Sequence, residues 1–315
     1  MLDKKAEAGK KFDRIKGALY GVAVGDCLGA PVEFMTAQDI HLQYGVLTDI
    51  ISGGWLGALA GYGTDDTAMT LAVAEGMMKT GPLDDPIEKI GHEFIRWFYG
   101  MPIGAGAACS HAIAEASKGG RVLTPNRKTW FAAAEKAHYD LGGRSGGNGS
   151  LMRTVPIALF LKADQRLAYD VSRMTHYDED AGLACMTYCE LVRKLIRGYD
   201  LQTALERVTS KTEYRNATRP DVTFTPRPSG YVKDSFNTAL WGVTRTRDFE
   251  NALVSVVNLG GDADTTGAIV GGIAGAAYGY HMIPERWIDT LQPSLKARLD
   301  ACALAAAKIW HCVPD

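Results

Sequence analysis

The chain has 315 residues, and its 34 lysines and arginines nearly balance 36 aspartates and glutamates. That balance excludes a strong overall electrostatic pull toward nucleic acid or anionic membrane, and the length admits one large domain or two. The N-terminal residues 1–11 are charged and lack an apolar core segment, which argues against secretion, so a cytoplasmic protein is expected.

Helical periodicity dominates the chain. Phe12, Ile15, Leu19 and Val22 mark one helix face, expected to break at Gly25-Asp26-Cys27-Leu28-Gly29-Ala30-Pro31. Val32-Glu33-Phe34-Met35 and then a loop through Gly53-Gly54-Trp55 to Gly63 follow. Thr64 reads as the N-cap of the next helix, with Met69, Val73 and Met77 on one face and an end near Gly81-Pro82. Pro86 suits a first helical turn, and Ile87, Ile90, Phe94 and Trp97 form its apolar stripe. Glycines at 100, 104 and 106 then interrupt the pattern before helices over 107–116 and 130–139.

Residues 142–150 are the most glycine-dense stretch; so many glycines weaken any regular element and suit a backbone that passes close to a ligand. Further helices are expected over 153–161, 164–173, 180–197, 201–210, 232–243 and 249–257, with an ordered surface loop over 211–229. The apolar run 267–282 reads as a buried helix, shorter than a typical membrane span. Trp287, Leu291, Leu295, Leu299, Cys302 and Ala306 imply one or two closing helices. No alternating strand or sustained repeat is present. The fold expected is all-α, a compact multi-helix bundle forming a single domain over 1–315, with 1–11 a loose extension, and a monomer. The six cysteines, Cys27, Cys109, Cys185, Cys189, Cys302 and Cys312, include no CxxC pair and are expected to be reduced core thiols.

Two oxygen-rich clusters carry the chemistry. Gly260-Gly261-Asp262-Ala263-Asp264-Thr265-Thr266 and Thr64-Asp65-Asp66-Thr67 each open an apolar run, where one side chain would suffice as a cap. Thr64, Asp65, Asp66, Asp262, Asp264 and Thr265 offer only hard oxygens, which favours Mg²⁺ or Mn²⁺ over zinc. Six such side chains exceed what one octahedral ion takes from protein. Two ions about 3.5 to 4 Å apart would use them all. The glycine loop with Arg153 behind it suits a diphosphate through its backbone N–H groups. His176 is either a hydrogen-bonded core histidine or a ligand contact, Tyr231 either an exposed tyrosine or a stacking surface for a base. Glu33 is either a buried general acid or base or a satisfied residue at a helix end.

Gly17-Ala18-Leu19-Tyr20-Gly21-Val22-Ala23-Val24-Gly25-Asp26-Cys27-Leu28-Gly29-Ala30-Pro31-Val32-Glu33-Phe34, Thr64-Asp65-Asp66-Thr67, Gly147-Asn148-Gly149-Ser150-Leu151-Met152-Arg153 and Asn258-Leu259-Gly260-Gly261-Asp262-Ala263-Asp264-Thr265-Thr266-Gly267 together resemble the ADP-ribosylglycohydrolase family, in the family's order and over most of the chain. The resemblance implies an all-α hydrolase with two Mg²⁺ or Mn²⁺ ions that cuts the bond joining ADP-ribose to a modified side chain or small acceptor. It implies Thr64, Asp65, Asp66, Asp262, Asp264 and Thr265 as metal ligands and Glu33 as the catalytic carboxylate. It also implies substrate contacts from Ser145, Gly146, Gly147, Asn148, Gly149, Ser150 and Met152, from His176, and from Tyr231 at the adenosine end. Pro102-Ile103-Gly104-Ala105-Gly106, with Gly104 and Gly106 on the substrate side, has Gly104 where arginine-cleaving members carry an aspartate. It is similar to the branch that acts on serine and O-acetyl linkages, whereas Val32-Glu33-Phe34-Met35 and the Gly53-Gly54-Trp55 region resemble the arginine branch. Partners implied are an ADP-ribosylated protein or another ADP-ribose conjugate. Two other readings are a non-catalytic, regulatory ADP-ribose binder and a Mg²⁺-dependent phosphohydrolase acting on a diphosphate.

Overall fold

The computed structural model describes residues 2–160 and 166–314. Fifteen α-helices occur among them: α1 (Leu2–Gly29), α2 (Ala37–Tyr44), α3 (Asp65–Met78), α4 (Pro86–Phe98), α5 (Ala107–Ala116), α6 (Arg127–Asp140), α7 (Val155–Phe160), α8 (Arg166–Arg173), α9 (Glu179–Ile196), α10 (Leu201–Thr209), α11 (Val232–Arg245), α12 (Phe249–Val257), α13 (Ala263–Tyr278), α14 (Glu285–Thr290) and α15 (Pro293–Trp310). Short 3-10 turns join several of them, and only isolated β-bridges are found among the described residues. The all-α expectation holds. No helix among the described residues is long and apolar enough to cross a membrane.

The core is organised by α1 and α13, which run antiparallel with their backbones in contact. Gly17 faces Gly275, Gly21 faces Gly271, Gly25 faces Gly267 and Gly29 faces Ala263, a four-residue step that keeps every contact on one face of each helix. A Cβ at Gly21 would lie 2.0 Å from the Gly271 carbonyl oxygen, and one at Gly25 would lie 2.0 Å from that of Gly267. Any larger residue forces the helices apart. The same contact lays the last turn of α1, with Asp26, beside the first turn of α13, with Asp264. Helices α9, α11 and α12 cover the remaining faces of α13, while α3 packs on α4 and α7.

Four expectations change. Gly25 and Gly29 do not end the first helix, because there they serve close helix contact and α1 continues to Gly29. At its other end α1 already begins at Leu2, so the segment expected as a loose extension is helical where described, in keeping with its alanines, lysines and glutamate. Helix α13 starts at Ala263, inside the acidic motif, and stops at Tyr278, where Gly279 takes φ +94°. Helix α2 lies where a loop was expected; it is capped by Thr36, whose Oγ1 accepts from the Asp39 N–H, but it buries only Ile40, so its sequence carries almost no apolar stripe. The expected helix end at Leu161 and start at Asp164 lie outside the described residues. The six cysteines are all buried and none is in a disulfide, as expected.

Candidate active site

Three chain segments meet at one acidic centre. Asp26, fully buried in α1, accepts from the backbone N–H of Thr64 (2.9 Å) and Thr67 (3.0 Å), from Thr64 Oγ1 (3.0 Å) and from Thr67 Oγ1. One carboxylate thereby satisfies two backbone donors at the start of α3 and fixes that helix end against α1. Thr265 Oγ1 of α13 donates to Asp66 Oδ2 at 3.3 Å, across 199 residues, and Thr64 Oγ1 lies at the same distance from that oxygen. The two oxygen-rich clusters are therefore adjacent. Glu33, Asp262 and Asp264 bring one carboxylate oxygen each to within 4.8 Å of one another.

The local backbone demands glycine here. Gly260 and Gly261 take φ +73° and +65°, and a Cβ would meet the Met35 carbonyl oxygen at 2.2 Å or that of Pro228 at 1.9 Å. Through this approach the Phe34 N–H donates to Gly261 O (2.6 Å), the Gly261 N–H to Met35 O (2.8 Å) and the Asp262 N–H to Pro228 O (3.0 Å). The segment carrying Glu33 and the 211–229 loop are both clamped to the start of α13.

Burial pushes the Asp65, Asp66 and Asp264 carboxyls well above the usual carboxylate range. Asp26 adds to this at Asp65, Asp264 at Asp66, and Asp262 at Asp264. Asp26 is also raised by burial, against the opposing bonds from Thr67 and Thr64. Glu33 is pushed up to about 7 by burial, opposed by a bond from Trp55, with Asp262 and Asp26 adding to the rise. Asp66 Oδ1 is buried and has no hydrogen-bond partner among the described residues. A cluster that cannot ionise fully by itself, made only of hard oxygens and with an orphaned buried carboxylate oxygen, fits a divalent hard cation.

Beside the acids lies a cavity of about 690 Å³, lined by Glu33, Asp65, Asp262, Asp264 and Thr265, by Gly147, Asn148, Gly149, Met152 and His176, and by Gly104 and Gly106. A recess of about 400 Å³ between Arg144, Gly146, Asp178 and Tyr231 continues from it. The glycine loop is held by an antiparallel bridge between Gly147 and Tyr231, with the Asn148 N–H donating to Gly230 O and the Val232 N–H to Gly146 O, both at 3.0 Å. Asn148 Nδ2 donates to Asp262 Oδ2 at 2.8 Å and to Ser235 Oγ at 2.9 Å, so the loop also aims one of the acids.

Not every sequence candidate faces the cavity. Ser145 and Ser150 are fully buried, their hydroxyls bonded to His138 Nδ1 (2.6 Å) and Ser172 Oγ (2.9 Å). Thr64 and Asp66 are buried and do not line this cavity. Arg153, expected behind the loop as a diphosphate partner, is fully buried; it donates to Thr175 Oγ1 (2.7 Å) and Val171 O (3.3 Å) and stacks over Phe94. Arg153 lies in the turn that precedes α7, and the exposed Arg144 is the arginine that lines the cavity among the described residues. Thr175 Oγ1 also lies 2.8 Å from His176 Nδ1. Burial and the Arg153 charge push His176 down to about 3, so its imidazole is neutral near pH 7. Asp26 and Trp55 were not singled out as site residues. Each nevertheless lies in a stretch that carries the family resemblance, Gly17 to Phe34 for the first and the Gly53-Gly54-Trp55 region for the second.

Residues 7–312 match the sequence pattern of the ADP-ribosylglycohydrolase family. The chain belongs to that family. It is 34% identical over 294 residues to the ADP-ribosyl-(dinitrogen reductase) glycohydrolase of Rhodospirillum rubrum, covering 91% of this chain and 93% of that one. It is 30% identical to the ADP-ribosylarginine hydrolase Tri1 of Serratia proteamaculans, covering 90% of this chain and 76% of the relative. The human ADP-ribosylhydrolase ARH3 is 22% identical, with 89% of each chain covered. Among solved structures, a chain of an ADP-ribosylglycohydrolase-related protein complex superposes with a TM-score of 0.78 at 30% identity, covering 95% of this glycohydrolase-family chain and 99% of that chain.

Proposed function

We propose that this chain is a metal-dependent hydrolase that detaches ADP-ribose from a modified protein side chain or a small acceptor. The observation that carries the reading is the convergence of both acidic helix starts and Glu33 at one cavity that glycine-rich backbone also lines. Thr64, Asp65, Asp66, Asp262, Asp264 and Thr265 would hold two Mg²⁺ or Mn²⁺ ions. When bound, such ions offset the negative charge of the cluster and supply Lewis-acid polarisation to ribose hydroxyls and water.

The remaining chemistry belongs to the chain. The Asn148 N–H is held by Gly230 O, so the backbone N–H groups of Gly146, Gly147 and Gly149 would face the diphosphate, while neutral His176 would offer a ring nitrogen to the ligand and Tyr231 would flank the recess for the adenosine end. Asn148 holds Asp262 in its orientation. As the bond from the anomeric carbon to the leaving nitrogen or oxygen breaks and a C–O bond to water forms, Glu33 takes the water proton and passes it to the leaving group.

Relatives named for ADP-ribosylarginine and for dinitrogen reductase support a protein-linked substrate. Gly104 bears on the linkage: it sits at φ +91°, and a Cβ there would come within 2.6 Å of Asp65 Oδ1, so this loop course disfavours an aspartate. A panel of arginine-, serine- and acetyl-linked ADP-ribose conjugates, with Mg²⁺ or Mn²⁺ and products identified by mass, tests the proposal. Release of intact ADP-ribose is expected, and Asp65→Ala or Asp262→Ala is expected to abolish both metal binding and turnover. Normal turnover by either variant would sink the metal assignment. Tight ADP-ribose binding with no linkage cut would establish the regulatory binder instead, and AMP with ribose phosphate would mark a phosphohydrolase.

A further inference from the structure

Glu33 is fixed from two directions. Its backbone follows a 3-10 turn, Ala30–Val32, and the next residue, Phe34, takes φ +62°, an uncommon conformation for a bulky residue, held by its bond to Gly261. Its side chain receives one hydrogen bond among the described residues, from Trp55 Nε1 to Oε2 at 2.7 Å. An indole N–H can only donate, so this contact has no alternative polarity.

Burial does not explain Trp55, which is 62% exposed. A tight turn holds it there. Gly53 and Ala58 exchange both backbone hydrogen bonds at 2.9 Å, the Gly57 N–H closes onto Gly54 O at 3.1 Å, and Gly53, Gly54 and Gly57 all take positive φ. The turn is seated directly on the segment that carries Glu33: a Cβ on Gly54 would lie 2.4 Å from the Ala30 carbonyl oxygen. Phe34, 64% exposed, sets its ring 5.6 Å from the Trp55 ring on the outer side. Glycines, a bridged turn and an exposed aromatic pair thus present one N–H to one carboxylate at the cavity wall.

We propose that Trp55 is a positioning residue for the reaction: its indole N–H occupies Glu33 Oε2 and leaves Oε1 directed for proton transfer. This rests on the hydrolase reading of the cavity, and the test separates the two. In isotope-labelled protein the Trp55 indole N–H resonance is assigned by its loss in Trp55→Phe. Glu33→Ala is expected to shift that resonance and speed its exchange with solvent. In turnover, Trp55→Phe, which keeps an aromatic ring and removes the donor, is expected to lower kcat about tenfold, the scale of one hydrogen bond to a charged group, with KM within about twofold. In a Glu33→Ala background the same substitution is expected to cost nothing further. An indole resonance unmoved by Glu33→Ala, an unchanged kcat in Trp55→Phe, or an equal loss in both backgrounds would overturn the proposal. Failure of the unsubstituted protein to cut any conjugate would instead sink the hydrolase reading, and the resonance alone would then uphold or overturn the Trp55–Glu33 bond.

Discussion

Gly21→Ala adds a single methyl group where α1 touches α13. The new Cβ would sit 2.0 Å from the Gly271 carbonyl oxygen, 2.7 Å from its carbon and 3.3 Å from Phe249 Cε2. Ordinary contact between such atoms begins near 3.4 Å, so the helices must part by roughly 1.4 Å. Both closest atoms are backbone and cannot rotate away. Overpacking of this kind costs about 1–3 kcal/mol, while alanine regains about 1 kcal/mol of helix propensity over glycine. The upper end of the cost applies, because separating the helices also loosens Gly17 against Gly275 and Gly25 against Gly267. A net loss of about 2 kcal/mol is expected in urea unfolding of the metal-free protein. Gly9→Ala is the matched control: it lies in the same helix, exposed, with nothing near its Cβ, and is expected to gain about 0.5–1 kcal/mol. If Gly21→Ala matched or exceeded the unsubstituted protein as Gly9→Ala should, the close-contact argument would be wrong.

Asn148→Ala removes the amide that aims Asp262 and is expected to weaken Mn²⁺ binding about 10–100-fold, the scale for partners that orient a metal ligand; calorimetric titration with unaltered affinity would refute it. Because the folded protein holds protons on Asp65, Asp66 and Asp264 that the unfolded chain releases above about pH 4, their contribution to stability is full below that pH and is lost as pH rises through the elevated folded values. The chelator-treated protein should therefore lose stability by up to about 1.4 kcal/mol per pH unit for each retained proton, and added Mg²⁺ should raise the unfolding temperature more at about pH 8 than at about pH 5. A metal effect equal at both would contradict this. Arg144→Ala, at an exposed position beside the cavity, is expected to weaken free ADP-ribose binding about tenfold without changing the unfolding temperature; unaltered affinity would remove Arg144 from the site.

The acidic halves were legible in the sequence because each gathers its oxygens within one helix turn, and a turn is the range over which spacing alone fixes neighbours. What was not legible depends on partners far along the chain. Asp26 is satisfied by residues 38 and 41 positions later, Asn148 reaches Asp262 across 114, and Trp55 reaches back 22 to Glu33. Arg153 shows the same limit from the other side: its place after a glycine loop suggested a ligand contact, but its guanidinium is buried in the core, bonded to Thr175 and over the Phe94 ring. The glycines at 17, 21, 25 and 29 carried their four-residue period openly, yet a glycine within an apolar run signals either a break or a close approach, and only the second set at 267, 271 and 275 decides between them. That pairing has a chemical consequence. Gly25 adjoins Asp26, and Gly267 lies one turn from Asp264, so the contact that sets the helix separation also sets the spacing of the acids. Scaffold and site share the same few residues, and a substitution that parts α1 from α13 at Gly25 must therefore disturb the acidic centre before it unfolds the chain.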